Sequence, residues 1–148
     1  MPMHFPFRPR VLLIGPANES RASLGALLEG WSCRVQAADD GAAGLRCALS
    51  WRPEAAIVST NTPPTDGYAA GHALRAALGP GLLLVARVGF GQSVDVERAF
   101  AVGFNAVFDG PADPAALRAL LGPALGVGQA RNADVVGSRP SRAILGEG

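Results

Sequence analysis

The chain has 148 residues, of which 49% are hydrophobic and 17% charged, and its formal net charge is +1. That composition suits one globular domain with a substantial core and excludes a disordered chain. The near-neutral charge offers no electrostatic footprint for nucleic acid or an anionic membrane, and because all 13 basic residues are arginine there is no lysine for a phosphate loop, a Schiff base or general-base chemistry.

In chain order, RVLLIG (10–15) reads as a strand buried on both faces. NESRASLGALLEG (18–30) reads as a helix with Leu24, Leu27 and Leu28 at helical spacing and Gly30 as its stop. CRVQAA (33–38) is a second strand. Asp39 or Asp40 caps a helix running through Leu49, with Leu45, Ala48 and Leu49 on one side. EAAIVS (54–59) is the third strand, and Asp66 caps a helix carrying Ala70, Leu74, Ala77 and Leu78 that stops at Gly79-Pro80. GLLLVARV (81–88) is the fourth strand. Ser93 caps a helix closed by Gly103, and NAVFD (105–109) is the fifth strand. Asp113-Pro114, a cap followed by proline at the first helical position, opens the last helix, PAALRALLG. Residues 1–9 read as an arm, 10–125 as one domain and 126–148, rich in Gly, Ser and Arg, as a flexible tail.

Strands alternating with helices imply an α/β fold: a doubly wound parallel sheet covered on both faces, with its site beyond the carboxyl ends of the strands. Those ends are Gly15-Pro16, Ser59, Val88 and Gly110. Cys33 and Cys47 lack metal or redox spacing and read as reduced thiols. The start lacks the long apolar core of a signal peptide, and no apolar run approaches ~18 residues, so the expectation is a cytoplasmic protein that makes no membrane contact. Ser59 as a nucleophile would need an oriented base. The two histidines, His4 and His72, have no context that puts them beside it. GPANES (15–20) and VGFGQ (88–92) read as turns rather than phosphate loops, Asp39-Asp40 as cap and surface, and Arg21, Arg75, Arg98 and Arg118 as solvated helix-face residues.

The ordered series RVLLIG, SRASLGALLEGW, DDGAAGL, RPEAAIVS, PPTDGY, VGFGQ, AVGFNAVFDGP and DPAALRALL resembles the receiver domain of bacterial two-component response regulators, over about residues 10 to 121. The resemblance implies a flavodoxin-like fold with strand order 2-1-3-4-5 and five flanking helices. It also implies where the family's chemistry would lie. The acidic pair that helps hold Mg²⁺ falls on Gly15 and Pro16, the phosphoacceptor on Ser59, the fourth-strand hydroxyl on Val88, the lysine on Gly110 and the aromatic switch on Val107. Every one departs from the family pattern. Mg²⁺ asks for carboxylate oxygens and phosphoryl transfer for neutralised charge, and these positions supply neither.

The leading reading is therefore a receiver-like signalling module that is not an enzyme, needs no cofactor and acts as a phosphorylation-independent protein-interaction domain. Its partner would be a histidine kinase, a phosphotransfer protein, another receiver, or itself as a dimer, met through the first helix or through Val94, Arg98, Ala101, Ala115 and Arg118. The alternative is a small-ligand sensor using the emptied pocket; a hydrolase acting through Ser59 is a third reading. Two local expectations follow from the resemblance: a cis Gly110-Pro111 bond, and an ion pair between Arg87 and Asp109 as neighbours on one face of the sheet.

Overall fold

A computed structural model describes residues 8–60, 67–88, 95–109, 114–122 and 143–145. The strands are β1 (Arg10–Ile14), β2 (Arg34–Ala38), β3 (Ala55–Ser59), β4 (Leu83–Val88), β5 (Ala106–Asp109) and β6 (Ala143–Leu145). The helices are α1 (Glu19–Gly30), α2 (Gly41–Trp51), α3 (Gly67–Leu78), α4 (Val96–Val102) and α5 (Pro114–Leu121). The sheet order is β2-β1-β3-β4-β5-β6; β1 to β5 run parallel, as the alternation implies, and β6 is antiparallel to β5.

The strands are apolar on both faces because helices cover both. On one face Val11, Leu13, Ile57, Val85 and Phe108 pack against Leu24 and Leu28 of α1 and Ala116, Leu117 and Leu120 of α5. On the other, Leu12, Ile14, Val58, Leu84 and Val107 pack against Ala48 of α2, Tyr68 and Leu74 of α3 and Ala99 of α4. Each fully buried Leu or Phe side chain contributes about 1.5–3 kcal/mol. Leu49 departs from the expected pattern: it is 52% exposed, and Gly41 and Gly44 take the buried side of α2 with Ala48.

The caps follow the hydrogen bonding of helix ends. The side chains of Asn18, Asp40 and Asp95 accept from the backbone N–H of Arg21, Ala43 and Arg98. Asp95, and not the expected Ser93, thus caps α4, because its carboxylate reaches the N–H three residues on. Asp66, Ser93 and Asp113 lie outside the described residues.

Arg75 also departs from expectation. It is not a solvated surface residue: its guanidinium donates to the carbonyls of Gly103 (Nε 3.0 Å, Nη2 2.9 Å), Gly79 (2.7 Å) and Leu82 (2.8 Å) and to Asn105 Oδ1 (2.7 Å). Asn105 Oδ1 in turn accepts the Leu84 N–H. One side chain thereby satisfies the carbonyl ends of α3 and α4 and ties them to the entry of β4, and burial lowers its pKa. Arg75→Ala is expected to lower the unfolding free energy by about 3 kcal/mol, since it leaves several carbonyls unpaired. Arg75→Lys should recover less than half of that loss, because an ammonium cannot span the same fork. Denaturant titration of both variants checks this.

The reading of 126–148 as a tail without regular structure needs correction at 143–145. Phe108 pairs with Ala143, Val107 with Ile144 and Ala106 with Leu145. The physical reason is the edge: without β6, β5 would present a row of unpaired backbone groups beside a buried apolar strand. A chain ending at Gly122 is expected to self-associate through that edge. Light scattering after size exclusion should show its mass rising with concentration, while the full chain keeps one mass.

Candidate functional site

The carboxyl ends of β1, β3 and β4 meet at one end of the sheet. Gly15 directly follows β1, is buried, and donates its N–H to the Ala38 carbonyl at 3.0 Å. It lies so close to β3 that a Cβ placed on it would stand 2.8 Å from the Ser59 Cβ. Only a residue without a side chain fits there, since real Cβ atoms do not approach so closely. Gly67, the first residue of α3, is similarly constrained: a Cβ there would run into the Ser59 carbonyl oxygen and lie 2.7 Å from the Thr60 Cα. Its N–H donates to the Thr60 carbonyl at 3.2 Å. The start of α3 is thereby seated on the end of β3.

The structure thus brings Gly15 and Ser59 together, with half-buried Pro16 just beyond. It separates Val88 from them. Ser59 is the register partner of Arg87, so Val88 falls on the opposite face, 1% exposed, in the layer shared with α3 and α4. Gly110, and with it the Gly110-Pro111 bond, lies outside the described residues.

The expected alignment of Arg87 with Asp109 is one residue out. β4 and β5 pair Arg87 with Phe108 and Val88 with Asp109, so positions 87 and 109 alternate to opposite faces of the sheet. The Asp109 side chain itself lies outside the described residues. Arg87 Nε is buried and has no hydrogen-bond partner among the described residues, and burial lowers the guanidinium pKa.

Arg21, expected to be solvated, instead folds over this end of the sheet. Its Nη1 donates to the Gly15 carbonyl at 2.9 Å, the Ala38 carbonyl at 3.3 Å and Asp39 Oδ1 at 2.8 Å. Helical spacing alone showed no signal for this. The clue lay in Asp39, an acidic residue at the end of the neighbouring strand. The charge of this exposed pair contributes no more than about 1 kcal/mol.

The expected partner face is divided. Arg98 stacks on Tyr68 of α3, 4.4 Å from the ring centroid, and Tyr68 Oη accepts the Asp95 N–H. Arg118 lies 5.6 Å from the Trp31 ring centroid, beside the end of α1. The two arginines reach toward opposite sides of the sheet, with β6 against β5 between their helices. Ala101 and Ala115 are exposed, and Val94 lies outside the described residues. Buried Cys33 is inert: desolvation pushes its thiol up to about 11, against an opposing pull from Arg118. Cys47 donates to Gln36 Oε1 and is likewise raised by burial. Among the described residues no helix is long and apolar enough to cross a membrane.

Alongside α1 runs an open groove of about 610 Å³, lined by Leu13, Ala22, Gly25, Ala26, Val35 and Ala37, with Glu19, Arg21 and Glu29 among its polar residues. Small residues on α1 and the exposed edge strand β2 leave this space.

No protein-family model and no curated protein matches the chain. Solved structures do. The signal receiver domain of a modulated diguanylate cyclase from Desulfovibrio desulfuricans G20 is 24% identical, with a TM-score of 0.68 over 77% of this chain and 90% of that one. A CheY-like response regulator receiver domain protein from Methanospirillum hungatei JF-1 is 19% identical, with a TM-score of 0.68 over 74% and 87%. The co-crystal structure of the Saccharomyces cerevisiae histidine phosphotransfer signaling protein Ypd1 with the receiver domain of its downstream response regulator Ssk1 matches at 18% identity and a TM-score of 0.67 over 78% and 86%.

The chain has the receiver fold. Its five parallel strands in order 2-1-3-4-5 and five helices match that architecture, and β6 is added at the β5 edge. In this fold the position following β1 is held to glycine by Ser59. Gly15→Ala is expected to destabilise the chain by about 2 kcal/mol through overpacking. The Gly15→Ala, Ser59→Gly double variant should recover only part of the loss, because the colliding Cβ is then gone but an alanine at the Gly15 φ of +157° remains strained. Thermal melts of the two single variants and the double variant, analysed as a cycle, check the coupling.

Proposed function

We propose that the chain is a receiver-like signalling module that has lost phosphoryl chemistry and works as a phosphorylation-independent protein-interaction domain. The observation that carries this reading is the end of β1 packed on the end of β3: where the receiver resemblance puts an acidic pair and a phosphoacceptor, the side chains are Gly15, Pro16 and Ser59. None of these is a carboxylate able to bind a hard cation. Gly15 cannot become acidic while Ser59 stands against it, so the loss is built into the packing.

The groove along α1 supports a protein partner. Ala22, Gly25 and Ala26 allow close backbone approach, and Leu13, Val35 and Ala37 give an apolar floor. Glu19, Arg21 and Glu29 can fix orientation. Such a surface suits a helix of another signalling protein, a histidine kinase or phosphotransfer protein, and one solved neighbour is a complex of a receiver domain with a phosphotransfer protein. The domain would be cytoplasmic, and no step of this function calls for a cofactor.

Two experiments test the reading. Incubation with a small phosphodonor and Mg²⁺ is expected to leave the intact mass unchanged; added phosphate that Ser59→Ala abolishes would refute it. Ala26→Arg, which fills the groove, should abolish capture of a kinase or phosphotransfer partner while shifting the melting temperature little. Unchanged capture would remove the groove from the function.

A further inference from the structure

The two edges of the sheet differ. β5 is covered by β6, whereas β2 stands at the end of the order with no strand beyond it among the described residues. The Arg34 N–H donates to the Pro9 carbonyl at 2.8 Å, and the Ala38 carbonyl accepts the Gly15 N–H at 3.0 Å, so residues 34, 36 and 38 turn their backbone groups toward β1. By alternation Val35 and Ala37 turn theirs outward. The same two residues line the groove along α1. An open backbone edge and an apolar groove thus run side by side, and β2 carries neither a proline nor a bulge to blunt that edge.

Gly25 enlarges the groove without being required by the core. A Cβ there would stand 3.7 Å from Leu13 Cδ1 and 3.9 Å from Val35 Cγ1, which is ordinary contact. Glycine weakens the interior of a helix relative to alanine, so α1 gives up some helix stability for open space.

The arm has the sequence to fill that space. Residues 1–7, MPMHFPF, lie outside the described residues. They alternate strictly, with Met1, Met3, Phe5 and Phe7 separated by Pro2, His4 and Pro6. Large apolar groups at every second position are the pattern of a strand with one buried face. In a strand laid antiparallel on β2, the residues whose side chains enter the groove also turn their backbone groups to Val35 and Ala37. The residues between them turn their backbone to solvent, where the missing N–H of a proline costs nothing. Pro2 and Pro6 fall on that outer side. The point of attachment also fits. Pro9 is buried and bonded to Arg34 at the foot of β2. Seven extended residues span about 23 Å. Crossing the foot of β2 takes about 10 Å, two strand spacings, and the remaining length, about 13 Å, matches the rise from Cys33 to Ala37.

We propose that residues 1–5 dock antiparallel on the outer edge of β2 as a further strand, with Met1, Met3 and Phe5 in the groove along α1. Both edges of the sheet are then closed by segments of the same chain. A partner helix entering the groove must displace this strand, so the arm regulates access to it. That consequence rests on the protein-interaction reading; the docking itself does not.

The test is amide hydrogen exchange followed by NMR, on the full chain with no partner present. The Val35 and Ala37 N–H groups are expected to exchange at least about tenfold more slowly in the full chain than in Phe5→Asp or in a chain lacking residues 1–7, as an arm docked in about nine-tenths of molecules requires. The Arg34 and Gln36 N–H groups face β1 and should exchange alike in all three, which separates loss of the arm from loss of the fold. Ala26→Arg, which fills the groove, should release the same two amides. The proposal is overturned if Val35 and Ala37 exchange as fast in the full chain as in both arm variants. It is equally overturned by protection that survives loss of residues 1–7 and grows with protein concentration, the mark of a second copy on the edge. Because exchange is read without a partner, its outcome is decided apart from partner capture.

Discussion

Burial of the central strands on both faces is the constraint from which the rest of the molecule follows. β1, β3 and β4 have no solvent side, so their side chains are apolar except toward the strand ends, where Arg10, Ser59 and Arg87 stand, and backbone pairing along the ladder satisfies their polar groups. Polar chemistry is thereby expelled to the two ends of the sheet. At the amino end of β4, Arg75 and Asn105 gather the loose carbonyls of two helices. At the carboxyl end, Gly15, Ser59 and Arg87 stand at the ends of β1, β3 and β4.

A chain without lysine must make all its cationic contacts with a planar fork. Arg21 and Arg75 use it in the same way, each bridging backbone carbonyls that belong to different elements, and Arg10 joins the Arg52 carbonyl to the Glu54 carboxylate. A compact ammonium would satisfy fewer of those acceptors at once. The arginine bias thus serves the architecture as mortar between element ends, and accounts for little surface electrostatics in a chain whose net charge is +1.

Much of the fold was legible in the sequence, because buried parallel strands such as AAIV and LLVA are continuous apolar runs set between helical repeats and punctuated by Gly and Pro. The strand order came from resemblance to a known fold, since alternation implies parallel pairing but does not rank the neighbours. The close approach of Gly15 to Ser59 agrees with the placing of both at the strand ends. Register was harder: a slip of one residue moves a side chain to the other face, and the Arg87–Asp109 pairing rested on such a slip. Arg21 and Arg75 were misread because helical spacing says which face a residue occupies, not that a long side chain will turn back to a carbonyl. Strand β6 was missed because three apolar residues amid Gly, Ser and Arg carry no periodic signal, and the edge that they cover exists only once the sheet has formed.

The origin of that last strand bears on how the molecule is made. A nascent chain emerges from its amino end, and domains begin to fold as they appear. The five parallel strands and α5 are all synthesised before Ala143, so the β5 edge stands uncovered until the ribosome has added the residues that close it. During that interval neighbouring nascent chains on one message would carry the same open edge, and the arrival of β6 would act as the seal that ends the exposure.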